Sequence, residues 1–357
     1  VRCRPSFICL LLAISALAQL GAQEAFLVPA PKVHMPAPTD GNCPSFWWQG
    51  SYRLFTSIGR PLQLSVWQDD AQAWETSDVG VNTLTDLAIW VESVWVDEED
   101  GTVFAWYHHE PGEMYPDSGL TAPKIGAVIS FDGGRTIHDL GFILETGDAL
   151  EADARNGCFA GGHGDFSVVL DRNREYFYFF FTNYNGPDES QGIVAARMAY
   201  RDRHQPVGRV FKYHNGGWNE PGRGGRMTPL FPAARAWRHA DPDSLWGPAV
   251  HWNTYLQRYV MVFNRTQGDP GWVQEGIYLS YGSDLAQPES WTPPARIMDP
   301  DGFPSWGTFY PQVIGLEPGD SDSQAGGIAR FYVSGASRWE IVFIHGDGWM
   351  PPTRRPH

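Results

Sequence analysis

Three carboxylic acids recur at comparable places along this chain: Asp40 in TDGNCPSFWW, Glu92 in WVESVW and Asp165 in GGHGDFSV. Each stands near the head of an apolar, strand-like run. A charge there is expensive to bury unless it is paired or used. Hydrolysis of a glycosidic bond needs two such groups, a protonated acid for the leaving oxygen and an ionised base or nucleophile across the sugar ring. A third carboxylate holds the acid's pKa up by like-charge repulsion. By position Asp40 reads as the base, while Glu92 and Asp165 share the acid and pKa-tuning roles in an order the sequence leaves open. Around them Asn42, His163 and Gln312 are expected to hydrogen-bond hydroxyl groups, and Trp47, Trp246 and Tyr310 to offer stacking faces. His251 would orient a carboxylate or bind an axial ion. Gly161, Gly162 and Gly164 beside His163 either let the backbone approach a ligand or shape a tight entry to the strand.

Other motifs carry less. His108-His109-Glu110 has the composition of a ligand cluster, but neighbours along a strand face opposite ways, so no shared metal is expected there. Neither Cys43 nor Cys158 has a second Cys or His at zinc spacing. No metal site is assigned and no cofactor is required, with room left for a structural or axial ion. Glu275 is expected away from the axis. Nucleophile-elbow, phosphate-loop, H-E-x-x-H and dinucleotide motifs do not occur, which disfavours Ser-His-Asp hydrolases.

For three distant carboxylates to meet, the fold must bring strand heads together. The chain supplies many short β-rich runs separated by Gly, Pro, Asn and Asp, and no convincing amphipathic helix. A unit of strand, turn, aromatic strand and Ser-ending strand recurs, as in VESVWVDEEDGTVFAWYHHE, GDFSVVLDRNREYFYFFFTNY and WGPAVHWNTYLQRYVMVFNR. With a first unit at DGNCPSFWWQGSYRLFTSIG and a fifth from FYPQVIG to RWEIVFI, five units emerge, each about the size of a propeller blade. The expected fold is therefore all-β, a five-bladed β-propeller over 39–350, whose innermost strands converge on one axial pocket. The segment Ser130–Thr136 (SFDGGRT) resembles the Asp-box turn of sialidase-like propellers, in which the Asp ties a hairpin locally; its role is structural.

The ends and the composition bound the setting. Arg2 and Arg4 precede an apolar run, Phe7–Leu20, then small residues; 1–22 reads as a signal peptide and 23–38 as a Pro-rich linker or clasp, with 351–357 a tail. Export to the extracellular space or periplasm, from a bacterium, is expected. The run falls short of the about 20 apolar residues a membrane span needs, so no membrane association is expected after cleavage. Export makes a Cys43–Cys158 disulfide the favoured state of the two remaining thiols. A formal net charge of −15 disfavours nucleic acid and anionic membranes. The 16 Trp, 14 Tyr and 20 Phe exceed what a core alone calls for and favour a glycan partner for a monomeric protein.

With DGNCPSFWW, WVESVWVDEEDGTVFAWYHHEP, GGHGDFSVVLDRNREYFYFFFTNY, WGPAVHWNTYLQRYVMVFNR and QEGIYLSY, the chain resembles the five-bladed propeller superfamily of arabinanases, β-xylosidases and fructosidases. The nearest flavour is a secreted bacterial branch related to endo-D-arabinanases, over about Thr39 to Trp349. The resemblance implies a secreted glycoside hydrolase acting on arabinan or another furanoside, with a non-catalytic carbohydrate-binding propeller as the alternative. Better-known members carry Asp, Asp and Glu in blades one to three. Here Asp40 matches the first, while Glu92 and Asp165 exchange residue type at the other two, altering reach by one methylene.

Overall fold

Strands such as Tyr176–Asn183 (YFYFFFTN) are apolar at nearly every position and buried along almost their whole length. Such a run has no solvent face, so it requires a sheet covered on both sides. The computed structural model describes residues 24–82, 88–112, 114–268 and 272–346; the expected signal peptide and C-terminal tail lie outside them. It is a five-bladed β-propeller. Among the described residues the helical content is four single turns of 3-10 helix.

The innermost strands are Ser45–Trp48, Ile89–Val96, His163–Leu170, Asp243–Asn253 and Gln312–Gly315, one per blade, and each blade grows outward by antiparallel neighbours. Between blades lie separate apolar clusters. Blades one and two share Phe46, Phe55, Val91 and Tyr107. Blades two and three share Trp106, Phe166, Phe177 and Phe179. Phe180, Phe263 and Met261 join blades three and four, and Val262, Phe331 and Phe343 join four and five. The predicted Asp box closes the hairpin between the third and fourth strands of blade two: Asp132 Oδ1 accepts from Ser130 Oγ at 2.8 Å and Thr136 N at 2.9 Å.

Ring closure falls between blades five and one, where the apolar cluster is small: Met35, Cys43, Leu54 and Ile314. Polar links supplement it. The Gln312 side chain donates to Cys43 O at 2.8 Å and accepts from Cys43 N at 3.0 Å. Asp322 accepts from Ser45 N at 2.7 Å, and Asp322 N donates to Ser45 Oγ at 2.9 Å. The Pro-rich lead completes the closure, because Glu24–His34 pairs antiparallel with Ala336–Ile344 as the outermost strand of blade five. Chain start and chain end are thus held in one sheet.

Gln312 was expected to meet a ligand. Its amide is instead spent on the Cys43 backbone, which a strand edge cannot leave unpaired when buried. Replacing Gln312 with Leu is predicted to lower unfolding stability by about 2 kcal/mol, the cost of orphaning that buried peptide group. Urea denaturation measures it; an unchanged midpoint would contradict the closure role.

Candidate active site

Strand pairing aims two of the three carboxylates. In blade two, Val91 pairs with Tyr107 and Ser93 with Trp106, leaving Glu92 as the extra residue of a β-bulge. In blade three, Gly164 pairs with Thr182 and Phe166 with Phe181, so Asp165 is the extra residue. A bulge re-aims its unpaired side chain without breaking the strand. Asp165 has φ +43°, a left-handed conformation. Blade four carries a matching irregularity between Trp246 and Ala249.

The two bulges face each other. Glu92 Oε2 accepts from Phe166 N at 2.7 Å, directly after Asp165. Asp165 Oδ2 accepts from the buried Tyr184 hydroxyl. Between the two carboxyls stands His108, from the second strand of blade two. Its Nδ1 lies 3.7 Å from Glu92 Oε1 and 4.0 Å from Asp165 Oδ1. The same Nδ1 accepts from Asp165 N at 3.1 Å, and Nε2 meets Glu110 Oε1 at 3.2 Å. His109, one residue on, points the other way, to Ala88 O and the Phe142 ring.

Asp40 belongs to the same well. A Cβ on its neighbour Gly41 would sit 3.5 Å from Glu92 Oε1. The charges of Glu110 and His108 act on Asp40, and that of Asp40 on Asp165. Asp40 is exposed at the mouth, whereas Glu92 and Asp165 are only 3% and 4% exposed at its floor. Desolvation dominates their electrostatics. It raises Asp40, with Glu110 adding to the effect, and raises Asp165. Glu92 is raised to about 8: burial is the main cause, His108 and the Phe166 amide oppose it, and the Asp165 charge adds to it.

Burial pulls the His108 imidazole down, but the Glu110 hydrogen bond and the surrounding carboxylates push it up to about 9. That upward push counts Glu92 as an anion. A neutral Glu92 removes part of it, and the Asp165 amide aimed at Nδ1 leaves no room there for a second proton. The geometry describes a neutral ring protonated on Nε2.

Glu92, His108 and Asp165 are near enough to be asked whether they hold a metal, with one donor atom of each within 4.8 Å of the others. They do not fit one well. Nδ1, the ring nitrogen nearest both carboxyls, already receives the Asp165 amide. The arrangement suits shared protons.

An aromatic wall flanks the acids. Phe159, Tyr184, Trp237 and Trp246 form its buried part, with Cys158, Trp272, Phe309 and Tyr310 partly exposed. Tyr310 is in the well, where burial and the charges of Asp165, Asp40 and Glu92 push its hydroxyl far above the ordinary range. Trp246 is beside the well but 1% exposed, its Nε1 bonded to Gln274. It backs the wall and cannot stack on a ligand. Trp272, half-buried against Trp237 and Phe159, is the indole on this side that sequence reasoning missed.

The other expected site residues are placed differently from the reading above. Trp47, 42% exposed, lines a separate cavity of about 460 Å³ at the far ends of the innermost strands, with Val94–Val96, Val168–Leu170 and Trp252. His163 is fully buried and receives a bond from Lys212 Nζ at 2.9 Å; burial first, then the lysine, push it well below its ordinary range. His251 packs on Phe343 and is pushed down to about 3 by burial alone, with no carboxylate acting on it. It orients nothing in the well. Asn42 is buried, its Oδ1 without a protein partner. Gly162 and Gly164 shape the strand entry, since a Cβ would meet Pro123 O at 2.5 Å or His108 Cε1 at 2.5 Å. Glu275 pairs with Arg296 on blade four, away from the well.

The expected disulfide does not form: both cysteines are free. Cys43 is buried at the closure of blades five and one, with Sγ 3.2 Å from Thr39 Oγ1, while Cys158 sits in the aromatic wall.

Neither a protein-family model nor a curated protein sequence matches the chain. Among solved structures, an exo-1,5-α-L-arabinanase from a bovine ruminal metagenomic library superposes at TM-score 0.50 and 12% identity, over 88% of this chain and 97% of that one. What the two share is the five-bladed fold. An α-L-arabinofuranosidase from Lactobacillus brevis gives TM-score 0.49 at 12% identity, over 85% and 90%. An exo-β-1,3-galactanase from Phanerochaete chrysosporium gives 0.47 at 12%, over 88% of this chain; the chain spans 64% of that protein.

Because Glu92 is raised when folded, the native state holds a proton that the unfolded chain releases. The stability this contributes is complete below the ordinary glutamate value and is lost as pH rises through about 8. Glu92→Gln is predicted to flatten the fall in denaturation midpoint between pH 6 and 9, read by urea titration at each pH.

Proposed function

We propose that this chain is an exported glycoside hydrolase that cleaves a poly- or oligosaccharide, with arabinan or another furanoside as the first candidate substrate. The observation that carries this reading is the well itself: an open carboxylate, Asp40, facing two buried ones, Glu92 and Asp165, beside aromatic rings. The neighbouring solved structures include an arabinanase and an arabinofuranosidase, which set the choice of test substrates.

Glu92 is the acid. Burial raises it to about 8, so it keeps its proton at neutral pH. One oxygen is tied to Phe166 N, which leaves Oε1 for a leaving glycosidic oxygen. Asp165, fixed by Tyr184, tunes that acid by like charge. Asp40, at the solvent-facing mouth, is the base that takes a proton from water. Tyr310 and Trp272 supply ring surface for the sugar. Export belongs to the same proposal and rests on residues 1–22.

The experiment is a screen of arabinan, xylan, fructan and aryl-glycosides with wild type, Asp40→Asn, Glu92→Gln and Asp165→Asn. Each substitution is expected to lower kcat by at least about 100-fold, the usual share of general acid–base catalysis. Since the acid must be protonated, the wild-type rate should fall as pH rises through about 8, and Glu92→Gln should lose that limb. Saccharide binding without turnover, unaltered by these substitutions, would assign the chain to the non-catalytic binding propellers.

A further inference from the structure

His108 belongs to none of the roles above, yet it stands beside both buried acids. It is 3% exposed and clamped on three sides. The Trp90 ring meets it edge to face at 5.5 Å. Gly164 lies so close that a Cβ would come within 2.5 Å of Cε1. Glu110, with its side chain 32% exposed toward the well, closes the third side through Nε2.

We propose that Glu110 and His108 form a positioning pair that holds Asp165 in its left-handed bulge and so sets the carboxyl constellation. The pair rests on the reading of Glu92 and Asp165 as working groups. A neutral imidazole carries its proton on either nitrogen, and the partner of one decides the state of the other. Glu110 accepts from Nε2–H, which leaves the lone pair on Nδ1. That lone pair accepts the Asp165 amide, which the bulge takes out of the regular strand ladder and which would otherwise be a buried orphan.

The residue type follows from the charge already present. Glu92 and Asp165 face the ring from the innermost strands of blades two and three, Glu110 from its own strand's end and Asp40 from the mouth. Tyr184 and Tyr310 add hydroxyls, and Cys158 a thiol, around the same acids. A carboxylate in the place of His108 would accept the amide but add a further anion. Lysine and arginine cannot accept at all. An uncharged acceptor with a fixed tautomer meets both demands.

The test is nitrogen-15 histidine NMR together with kinetics, on wild type, Glu110→Ala, Glu110→Gln, His108→Leu and His108→Asn. In wild type at pH 7, His108 is expected to show a protonated Nε2 and a bare Nδ1. Glu110→Ala should release that tautomer, whereas Glu110→Gln retains an acceptor and should keep it. In kinetics, Glu110→Ala and His108→Leu should lower kcat by about 100-fold at nearly constant KM, as expected of mispositioned reacting groups. Glu110→Gln and His108→Asn, whose Oδ1 stands near the Nδ1 position, should recover most of it. An imidazolium or an Nδ1–H tautomer in wild type overturns the pair whatever the activity. Equal damage from the conservative and the disruptive variants also overturns it. The NMR result stands without turnover, so absence of hydrolysis in every sample would count against the hydrolase reading alone.

Discussion

Two carboxyl groups and an imidazole that are nearly dry and within 4.8 Å of one another cannot all carry the charges they would hold in water. The desolvation of each anion is large, and each further negative charge adds to it. Protons must therefore be shared, and the surrounding structure decides which group holds one. Glu92 keeps a proton because burial and the Asp165 charge outweigh the one amide that stabilises its charged form. Asp165 has the Tyr184 hydroxyl on one oxygen.

The groups around these acids, His108, Phe166 N and Tyr184, come from two strands and the end of a third, in two blades, so the proton distribution depends on how accurately the blades stack. The interface between blades two and three is packed with large rings, with Trp106 set against Phe177 and Phe179 at 5.1 and 5.6 Å. Val168 N reaches across it to Ser93 Oγ at 2.8 Å, one step beyond the Phe166–Glu92 bond. The closure between blades five and one, which has few apolar residues, lies away from these two acids and relies on hydrogen bonds.

The sequence disclosed the fold because blade strands are buried on both faces and repeat in order, and neither property is easily imitated by a sandwich. Asp40, Glu92 and Asp165 stand out in it because they recur at equivalent places of consecutive units, and the structure gathers them around one well. It misplaced Trp47, His251 and Gln312 because an innermost strand has two ends and several faces, and only one end opens on the acids. His163 and Trp246 flank the bulges, yet they turn into the blade and the aromatic wall, as their full burial records. His108 was discounted by sound reasoning about its neighbour: His109 does face away, but Glu110 two residues on shares its side. Its meeting with Glu92 and Asp165 runs through a bulge, which shifts the alternation by one and leaves no mark in composition.

The choice of Glu in blade two and Asp in blade three finds a physical account in the same bulges. Asp165 sits at φ +43°, a region that Asp and Asn enter far more readily than longer side chains. A short carboxyl suffices there, since Tyr184 comes to meet it. Glu92 sits in a bulge on the neighbouring blade and must cross to Phe166 N and the His108 ring. The extra methylene spans that gap. Reversing the pair would put the longer chain in the strained position and leave the shorter one out of reach of its amide. The two residue types are thus fixed by the backbone beneath them, and the chemistry of the well follows from how that backbone aims each carboxyl.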